Sequence, residues 1–297
     1  MLFVCLVAGF FTADIISAEW TYDNQGNWSP SVCIEGPHQS PIALSTSLAE
    51  EADFPPFRMD GYWQNMSTIL QNNGHSVTIR PNHQKHIPRI HGGGLSGKYK
   101  LDHLHFHWKS EHTMEGQRFP LEMHMVHYHE KYSSYQEASD YAAEGGVVVF
   151  AVLFYLSPDD VEEFNHVLKA VLHVQKHENQ QTELDGFVIK NFIPMDVAGF
   201  YRYNGSLTSP GCNEGIIWTV FVHTLPISQA QVDVFRSIRT RHNKPLEENF
   251  RELQPLNDRH ILIKISPVGV SAGQNLFAGN ANVFLVIFIS IKYCFSG

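Results

Sequence analysis

The chain has 297 residues, a formal net charge of −9 and 18 histidines against 21 lysines plus arginines. With 43% hydrophobic residues, it can bury the core of one large domain. Only 17% of the residues are charged and no basic stripe is present, which argues against nucleic-acid binding.

The first 18 residues have the pattern of a targeting signal. An apolar run from Met1 to Phe11 is followed by Ile16-Ser17-Ala18, which ends in a small residue. This pattern predicts a secretory signal peptide over residues 1–18 that is cleaved near Ala18. A core strand at the N-terminus is the alternative, but no turn residues set it off as one.

Short strand-like runs recur along the rest of the chain, and no interdomain linker separates them. The clearest are Ser67–Leu70, Ser76–Arg80, Leu101–Trp108, Leu121–Tyr128, Val147–Leu156, Ile216–Leu225 and Ile261–Ile265. Residues 147–153 are nearly all apolar, which predicts a strand buried on both faces at the centre of a sheet. We therefore predict one β-rich α+β domain over residues 19–267, with a few peripheral helices.

Two of these runs carry histidines at alternating positions. On a β-strand, His103, His105 and His107 share one face, while the apolar residues between them share the other. In the second run, Glu122, His124 and Val126 share a face in the same way. Two imidazoles on one strand and one on a partner strand form a three-nitrogen site with an open fourth position, which is typical of catalytic zinc. Three core histidines without a metal are the alternative, but they would leave buried ring nitrogens unpaired.

Two helix starts are recognisable. Ser157-Pro158-Asp159-Asp160 combines a capping residue with proline at the first helical position. Apolar residues follow it at helical spacing, at Val161, Phe164, Leu168, Val171 and Leu172. Ser228 similarly opens a second predicted helix, which carries Val232, Phe235 and Ile238.

The last thirty residues have the order of a lipid-anchor signal. The small residues Ser271-Ala272-Gly273 precede a spacer over residues 274–282 and an apolar tail over residues 283–291. The tail is shorter than the roughly 20 residues that cross a bilayer as a helix. We predict a spacer and hydrophobic anchor signal over residues 268–297, exchanged for a glycosylphosphatidylinositol (GPI) lipid. A last buried strand or a disordered end is the alternative.

Cysteine usage fits a secreted chain. Cys5 belongs to the predicted signal and Cys294 to the tail, so Cys33 and Cys212 remain in the mature chain. In an oxidising compartment these two are expected to pair, and two buried free thiols are the alternative.

Three sequons offer glycosylation sites in such a compartment. They begin at Asn27, Asn65 and Asn204. The third, at Asn204-Gly205, is also compatible with a simple turn.

Taken together, the motifs resemble those of an α-class carbonic anhydrase, from Trp20 to about Ile265. The matching segments are QSP at Gln39–Pro41, NGH at Asn73–His75, HFHW at His105–Trp108, SEHT at Ser110–Thr113, Glu122–His124 and GSLTSPGC at Gly205–Cys212. The resemblance implies a large, mostly antiparallel sheet with short peripheral helices and a conical active-site cleft that holds the metal. The presence of Cys33 and Cys212 resembles secreted and membrane-attached members of the family.

The resemblance also implies an activity and a metal. The expected reaction is reversible hydration of carbon dioxide to bicarbonate and a proton, by attack of zinc-bound hydroxide. His105, His107 and His124 would hold Zn²⁺, and sulfonamides or anions would inhibit at the metal. His103 and Glu122 would hold the outer ring nitrogens of the ligands. His103 stands where relatives often carry Gln, so its hydrogen bond to His105 depends on an unprotonated ring nitrogen.

Further residues match positions around the metal. Glu111 and Thr208 would orient the attacking oxygen, because an ionised carboxylate only accepts and the hydroxyl must then donate to it. Carbon dioxide would lie against an apolar wall of Val126, Val149, Leu207 and Trp218. His75 would carry the proton to solvent. The water path to it would be lined by Tyr22, Asn73 and Thr78.

Two other functions fit the same fold. A non-catalytic cell-surface binding module typically lacks a zinc histidine, whereas this chain keeps all three. A zinc ester hydrolase would need more room than a narrow apolar pocket provides. The end segments place the protein on the extracellular face of the plasma membrane, with a secreted soluble form as the alternative. The sequence leaves open whether it is a monomer or a dimer.

Overall fold

Strands are the predominant regular elements in the computed structural model, which describes residues 20–82 and 86–266. The predicted signal peptide and the predicted anchor signal both lie outside these residues. Sixteen strands and four short α-helices are present in the described part. The strands are β1 (Ala43–Leu44), β2 (Ala49–Glu51), β3 (Phe57–Asp60), β4 (Met66–Asn72), β5 (Val77–Pro81), β6 (Arg89–Gly92), β7 (Tyr99–His107), β8 (Thr113–Met114), β9 (Gln117–Arg118), β10 (Leu121–His129), β11 (Val147–Ser157), β12 (Gln181–Phe187), β13 (Phe200–Ser206), β14 (Glu214–Phe221), β15 (Leu225–Ser228) and β16 (Ile261–Lys264).

The helices lie between strands and are short. They are α1 (Val32–Glu35), α2 (Tyr135–Asp140), α3 (Glu162–Val174) and α4 (Gln229–Arg236). Four 3-10 turns complete the described elements, at Tyr22–Asn27, Thr46–Leu48, Ala142–Glu144 and Ile189–Phe192.

One large sheet organises the molecule. Thirteen strands form it, in the order β12-β4-β5-β7-β10-β11-β14-β13-β16-β2, with β6 beside β7, β3 beside β6, and β15 beside β11. Most neighbours are antiparallel, whereas β11 runs parallel to β14 and β15, and β16 runs parallel to β2. A small second sheet contains β1, β8 and β9. The predicted single β-rich domain with a mostly antiparallel sheet and few helices is therefore confirmed.

Apolar clusters cover both faces of this sheet. One cluster contains Leu104 and Phe106 of β7 and packs against Phe164 of α3 and Phe235 of α4. The other contains Val126, Val149 and Trp218 and lies on the face that carries the histidines. Strand β11 contributes to both clusters, and residues 147–154 are buried. The prediction of a central strand buried on both faces is confirmed.

Two predicted elements end differently in the structure. The run Ile216–Leu225 belongs to two strands, β14 and β15, because residues 222–224 between them do not pair with β11. The predicted helix cap at Ser157 is wrong: Ser157 still pairs with Ser228 at the end of β11. Helix α3 begins only at Glu162, after residues 158–161 have left the sheet. The tertiary pairing of β11 therefore outweighs the local capping signal.

The second predicted cap is confirmed. Ser228 accepts a hydrogen bond from the Gln231 backbone N–H, and the Gln231 side chain returns to the Ser228 N–H. This reciprocal capping box satisfies two of the free N–H groups at the start of α4.

An irregularity in β7 interrupts the alternation that the sequence predicts. Val126 of β10 pairs with His103, but the next residue of β10 pairs with Leu101. Asp102 is thus an extra residue, a β-bulge, and Leu101 stays on the core face with Leu104. The bulge brings the side chains of Asp102 and His103 into contact.

Cys33 and Cys212 form a disulfide, with their Cα atoms 5.1 Å apart. The predicted pairing is therefore confirmed, and it links the segment around α1 to the loop after β13. Within the described residues, no helix is both long enough and apolar enough to cross a lipid bilayer.

Candidate metal centre

Three histidines converge on the sheet face that carries the second apolar cluster. His105 and His107 lie on β7, and His124 lies on β10 directly opposite His105. Each of the three offers a ring nitrogen, and these three atoms lie within 4.8 Å of one another. Alternation along two paired strands is sufficient to bring the three side chains together.

The inner nitrogens have the spacing of metal ligands. His105 Nε2 and His124 Nδ1 are 3.2 Å apart. Two ligands of a tetrahedral zinc ion at Zn–N distances of about 2.1 Å would be about 3.4 Å apart. His107 Nε2 is buried without a hydrogen-bond partner. A buried acceptor of this kind is costly unless something binds it, so the residues present fit a zinc ion.

Two of the three outer nitrogens have an acceptor. His124 Nε2 lies 2.6 Å from Glu122 Oε1, and His107 Nδ1 lies 2.6 Å from the backbone oxygen of Asn249. Each acceptor places the proton on the outer nitrogen and leaves the inner one free for a metal. His105 Nδ1 is different, because it is buried and has no hydrogen-bond partner among the described residues.

His103 lies beside His105 and makes a different contact from the one the resemblance implies. The two rings are stacked, with centroids 5.0 Å apart and planes 27° apart. His103 Nδ1 lies 2.7 Å from Asp102 Oδ2, and no hydrogen bond joins His103 to His105 in the described chain. Asp102 also accepts a hydrogen bond of 2.5 Å from Arg80.

Glu122 serves a second histidine as well as His124. The ring Nδ1 of His112 lies 2.7 Å from Glu122 Oε1, and the His112 backbone N–H donates to Oε2. His112 Nε2 lies 2.7 Å from the hydroxyl of Tyr203, which lies 2.9 Å from Ser40 Oγ. His112, Glu122 and His124 have the composition of another metal site. Their direct hydrogen bonds identify them instead as the buried support of His124.

The electrostatics favour the neutral forms of His105 and His124. Burial, together with the neighbouring imidazoles, holds the pKa of His105 well below its usual value. Burial also lowers the pKa of His124, although Glu122 opposes this shift. Burial alone would raise the pKa of Glu122, but His112 and His124 outweigh it and keep that pKa well below its usual range. An anionic Glu122 that accepts a hydrogen bond from His124 leaves the inner nitrogen of His124 free for a metal cation.

Burial and neighbouring charges also shift the pKa values of Asp102 and His103. Burial raises the pKa of Asp102, but the hydrogen bond from His103 and the charge of Arg80 outweigh it, so the pKa is lowered. Burial lowers the pKa of His103, and Asp102 opposes that shift only in part.

Glu111 is buried next to the histidines. Its Oε1 accepts a hydrogen bond from the Arg251 backbone N–H, while Oε2 has no hydrogen-bond partner and lies 3.5 Å from His107 Nε2. Thr208 is buried in the loop after β13. The described residues contain no hydrogen bond between Thr208 and Glu111, so the orienting pair stays a prediction.

The expected apolar wall follows one row across the sheet. Val126 pairs with Val149, which pairs in turn with Trp218 of β14. The Trp218 ring lies 4.8 Å from the His124 ring, with the two planes 72° apart. Leu207 packs against the same cluster from the loop after β13. All four residues therefore belong to the histidine face, and a substrate role for them stays a prediction.

The residues of the expected proton path differ in exposure, because Thr78 is buried whereas His75 and Tyr22 are partly exposed. The His75 ring is stacked on Trp20, with centroids 3.7 Å apart. Its turn is held by Asn73, whose side-chain oxygen accepts from the N–H groups of His75 and Ser76. Both His75 and Tyr22 line a groove of about 360 Å³. Thr78 lies opposite His105 in the sheet.

Some supporting residues have no signal in the sequence. Asn249 holds His107 through its backbone oxygen and holds the Trp108 N–H through its side chain. The Arg251 side chain donates to the backbone oxygens of Cys33, Ser40 and Leu207. Both lie in an irregular segment, so no periodicity points to them. His112 belongs to a quoted motif, but only its contact with Glu122 gives it a role.

The fold and this histidine cluster define an α-class carbonic anhydrase architecture, and sequence comparison agrees. The model of eukaryotic-type carbonic anhydrases matches residues 23–265. The chain is 34% identical to carbonic anhydrase 15 of Mus musculus, over 82% of this chain and 83% of that protein. It is 32% identical to carbonic anhydrase 12 of Homo sapiens, over 94% and 85%, and 31% identical to putative carbonic anhydrase 3 of Caenorhabditis elegans, over 83% and 98%. The protein belongs to the eukaryotic-type carbonic anhydrase family, which supports hydration of carbon dioxide as its general class of activity.

Proposed function

We propose that this protein is an active zinc carbonic anhydrase, which hydrates carbon dioxide reversibly to bicarbonate and a proton. The observation that carries the proposal is the convergence of three imidazoles, at His105, His107 and His124, whose ligand nitrogens lie within 4.8 Å of one another. Glu122 and Asn249 support two of these rings at 2.6 Å. A binding module would have no need of this buried arrangement.

Zinc, when bound, supplies a Lewis acid that lowers the pKa of a coordinated water, an effect for which carbonic anhydrase itself is the standard example. The chain would hold the ion through three nitrogens and would leave one position open. An imidazole ligand carries no formal charge, so the charge of the ion would stay undiminished. Glu122 supplies its negative charge one residue further out, where it orients His124.

The remaining residues orient the reactants and move the proton. Glu111 is an acceptor, so a Thr208 hydroxyl that donates to it can accept from the attacking oxygen in turn. Val126, Val149, Leu207 and Trp218 form a dry surface suited to apolar carbon dioxide. His75 at the groove can take the released proton, since a neutral histidine gains and loses protons near pH 7. Tyr22, Asn73 and Thr78 would line the water path to it.

Stopped-flow carbon dioxide hydration, with zinc quantified on the same sample, tests the proposal. We expect one zinc per chain and fast turnover that sulfonamides and small anions inhibit. His107→Ala should lower turnover to the buffer background, whereas His260→Ala on the exposed surface should leave it unchanged. A loaded protein without turnover would contradict the proposed catalysis and favour the non-catalytic binding module.

We further propose that the protein acts outside the cell, attached by a GPI lipid. The disulfide between Cys33 and Cys212 supports an oxidising compartment, and the patterns at residues 1–18 and 268–297 support export and anchoring. Phosphatidylinositol-specific phospholipase C should release activity from cells that express the full chain. A chain truncated after residue 267 should appear in the medium without the enzyme. Activity that the phospholipase cannot release would contradict the lipid anchor.

Glycosylation is proposed at three exposed positions, Asn27, Asn65 and Asn204. Each Asn→Gln variant should migrate faster on a gel by one glycan, and glycosidase treatment should remove the difference. A variant that migrates as the parent does would exclude that site.

A further inference from the structure

A buried arginine joins several segments near the candidate metal centre. Arg251 is 2% exposed, and its guanidinium donates at 2.6 Å to the Cys33 backbone oxygen and at 2.8 Å to that of Ser40. A further hydrogen bond of 2.9 Å goes to Gln39 Oε1. These acceptors are neutral, so hydrogen bonds to the chain, and not an ion pair, offset the cost of burying this charge.

The same guanidinium reaches the peptide group that precedes Thr208. Its Nη1 donates to the Leu207 oxygen at 3.4 Å, and Ser206 Oγ donates to that oxygen at 2.8 Å. Ser206 is held in turn by Ser40, because each backbone N–H of the two donates to the hydroxyl of the other. A peptide unit is planar, so holding the Leu207 oxygen also fixes the plane that contains the nitrogen and Cα of Thr208.

The backbone of Arg251 holds the other member of the proposed orienting pair. Its N–H donates at 2.8 Å to Glu111 Oε1, while Oε2 has no hydrogen-bond partner among the described residues. Burial lowers the pKa of Arg251, and the negative charge of Glu111 opposes this shift. One residue therefore contacts the carboxylate through its main chain and the segment that carries Thr208 through its side chain.

We propose that Arg251 is a positioning residue for Thr208: its guanidinium fixes the Leu207–Thr208 peptide relative to the Glu111 carboxylate that its own N–H holds. This inference rests on the orienting pair of the proposed function. Arg251 does not itself touch the reacting atoms, so its effect on the rate should depend on the Thr208 hydroxyl. An arginine that only stabilises the core would act whether or not this hydroxyl is present.

A double-mutant cycle on hydration kinetics tests the proposal. Zinc-loaded wild type, Arg251→Met, Thr208→Ala and the double variant are compared by stopped flow, with each rate divided by the zinc measured on the same sample. We expect Arg251→Met to lower kcat/KM roughly 5- to 50-fold, because a displaced hydroxyl no longer aims the attacking oxygen. In the Thr208→Ala background, the same substitution should change kcat/KM by about twofold or less. An equal effect in both backgrounds, or none in either, would overturn the proposal.

Two further variants separate position from charge and from burial. Arg251→Lys keeps the charge but loses the planar fork of donors, so it should also lower kcat/KM. An Arg251→Lys protein with the kcat/KM of wild type would overturn the proposal. Arg202 is the matched control: it is 7% exposed, donates to the Gly93 oxygen at 2.9 Å and lies against Phe200 of the first apolar cluster. Arg202→Met should destabilise the fold but keep kcat/KM, and an equal loss of kcat/KM there would overturn the proposal.

Hydrogen exchange supplies a readout that does not depend on turnover. The Leu207 N–H donates to the Asn213 oxygen at 3.0 Å and so reports on the loop after β13. We expect Arg251→Met to speed exchange over residues 206–212, measured by mass spectrometry on the zinc-loaded protein, whereas Arg202→Met should not. Unchanged exchange in these residues would overturn the proposal.

The outcomes also separate this inference from the proposed function. A zinc-loaded wild type without turnover would contradict the proposed catalysis, and hydrogen exchange would then decide the role of Arg251 alone. Thr208→Ala with the kcat/KM of wild type would contradict the orienting pair and would overturn this inference with it.

Discussion

At the scale of single residues, His75 is partly exposed to solvent, and its ring has one defined position. Its ring is stacked on Trp20 at 3.7 Å beside the groove. We predict that His75→Ala slows turnover several-fold in weak buffer, because the proton then has no carrier near neutral pH. Stopped-flow hydration at increasing buffer concentrations measures the effect, and added imidazole should restore part of the rate.

His242 provides the matched control for this experiment. It lines the same groove but has no place in the proposed path, so His242→Ala should keep the buffer dependence of wild type. If His75→Ala and wild type respond equally to buffer, then His75 does not carry the proton.

His127 makes folding stability depend on pH. It is fully buried beside the Tyr62 hydroxyl, and burial lowers its pKa to about 3. In the unfolded chain His127 binds a proton near pH 6.5, whereas in the folded chain it stays neutral down to about pH 3. The free energy of unfolding therefore decreases as the pH falls from 6.5 toward 3. At pH 5 this loss amounts to about 2 kcal/mol, since each pH unit corresponds to about 1.4 kcal/mol.

Urea unfolding at pH 7.5 and pH 5.0 measures this contribution. His127→Gln keeps an acceptor for Tyr62 but does not titrate, so its free energy of unfolding should fall by about 2 kcal/mol less than that of wild type. His166→Gln on the exposed side of α3 should behave as wild type does. Both variants must be compared in the same metal state, and equal pH dependence in all three proteins would refute the role of His127.

The sequence predicts residues such as His105, His107 and His124 well, because alternation on a strand fixes which side chains share a face. It does not predict what supports them. The acceptor for His107 is a backbone oxygen of Asn249, and every residue has one of those. The contact of His103 with Asp102 depends on a bulge, and one extra residue in a strand reverses the faces that alternation assigns.

At the scale of elements, the irregular segment around Asn249 acts as a brace for β7. The Asn249 side chain accepts from the Trp108 N–H and donates to the backbone oxygens of His75 and Phe106. We predict that Asn249→Ala lowers the free energy of unfolding by about 2–3 kcal/mol, because buried groups of the strand lose their partners. It should also weaken zinc binding, since the acceptor for His107 is no longer held in place.

Urea unfolding and chelator competition for zinc measure both effects. Asn165→Ala is the control, because Asn165 lies on the exposed side of α3 and its substitution should have little effect on either quantity. A stable Asn249→Ala protein with unchanged zinc affinity would show that the brace is unnecessary.

Elements differ in how far the sequence predicts them. Strands β7, β10 and β11 lie where alternating or continuous apolar residues predict them. The cap at Ser228 is predictable because it depends only on residues close to it in the sequence. The error at Ser157 shows the limit of such signals, because partner strands that lie far away in the sequence decide where β11 ends. The neighbours of each strand in the sheet have no local signal at all.

At the scale of the whole molecule, the disulfide closes a very long loop. Cys33 and Cys212 are 179 residues apart, and the chain-entropy model gives about 5 kcal/mol for closing such a loop. We predict that the paired substitution Cys33→Ala and Cys212→Ala lowers the free energy of unfolding by about 3–5 kcal/mol. Urea unfolding with and without reductant measures this, and only wild type should respond to the reductant. A wild-type protein insensitive to reduction would contradict the prediction.

The overall architecture was predictable because composition, strand runs and motif order agree on one β-rich domain. The strand order of the sheet is visible only in the structure. Arg251 illustrates why: its guanidinium joins the backbone oxygens of Cys33, Ser40 and Leu207, three segments that no sequence pattern connects.

The hydrogen bonds behind His124 have one direction. The Ser206 N–H donates to Ser40 Oγ, which can then donate to Tyr203, as Tyr203 does to His112 and His112 to Glu122. Each member accepts on one side and donates on the other, so the dipoles align head to tail with their positive ends toward the carboxylate. These oriented groups thus stabilise the charge of Glu122. A sheet that fixes the end of β13 thereby also polarises a carboxylate on β10.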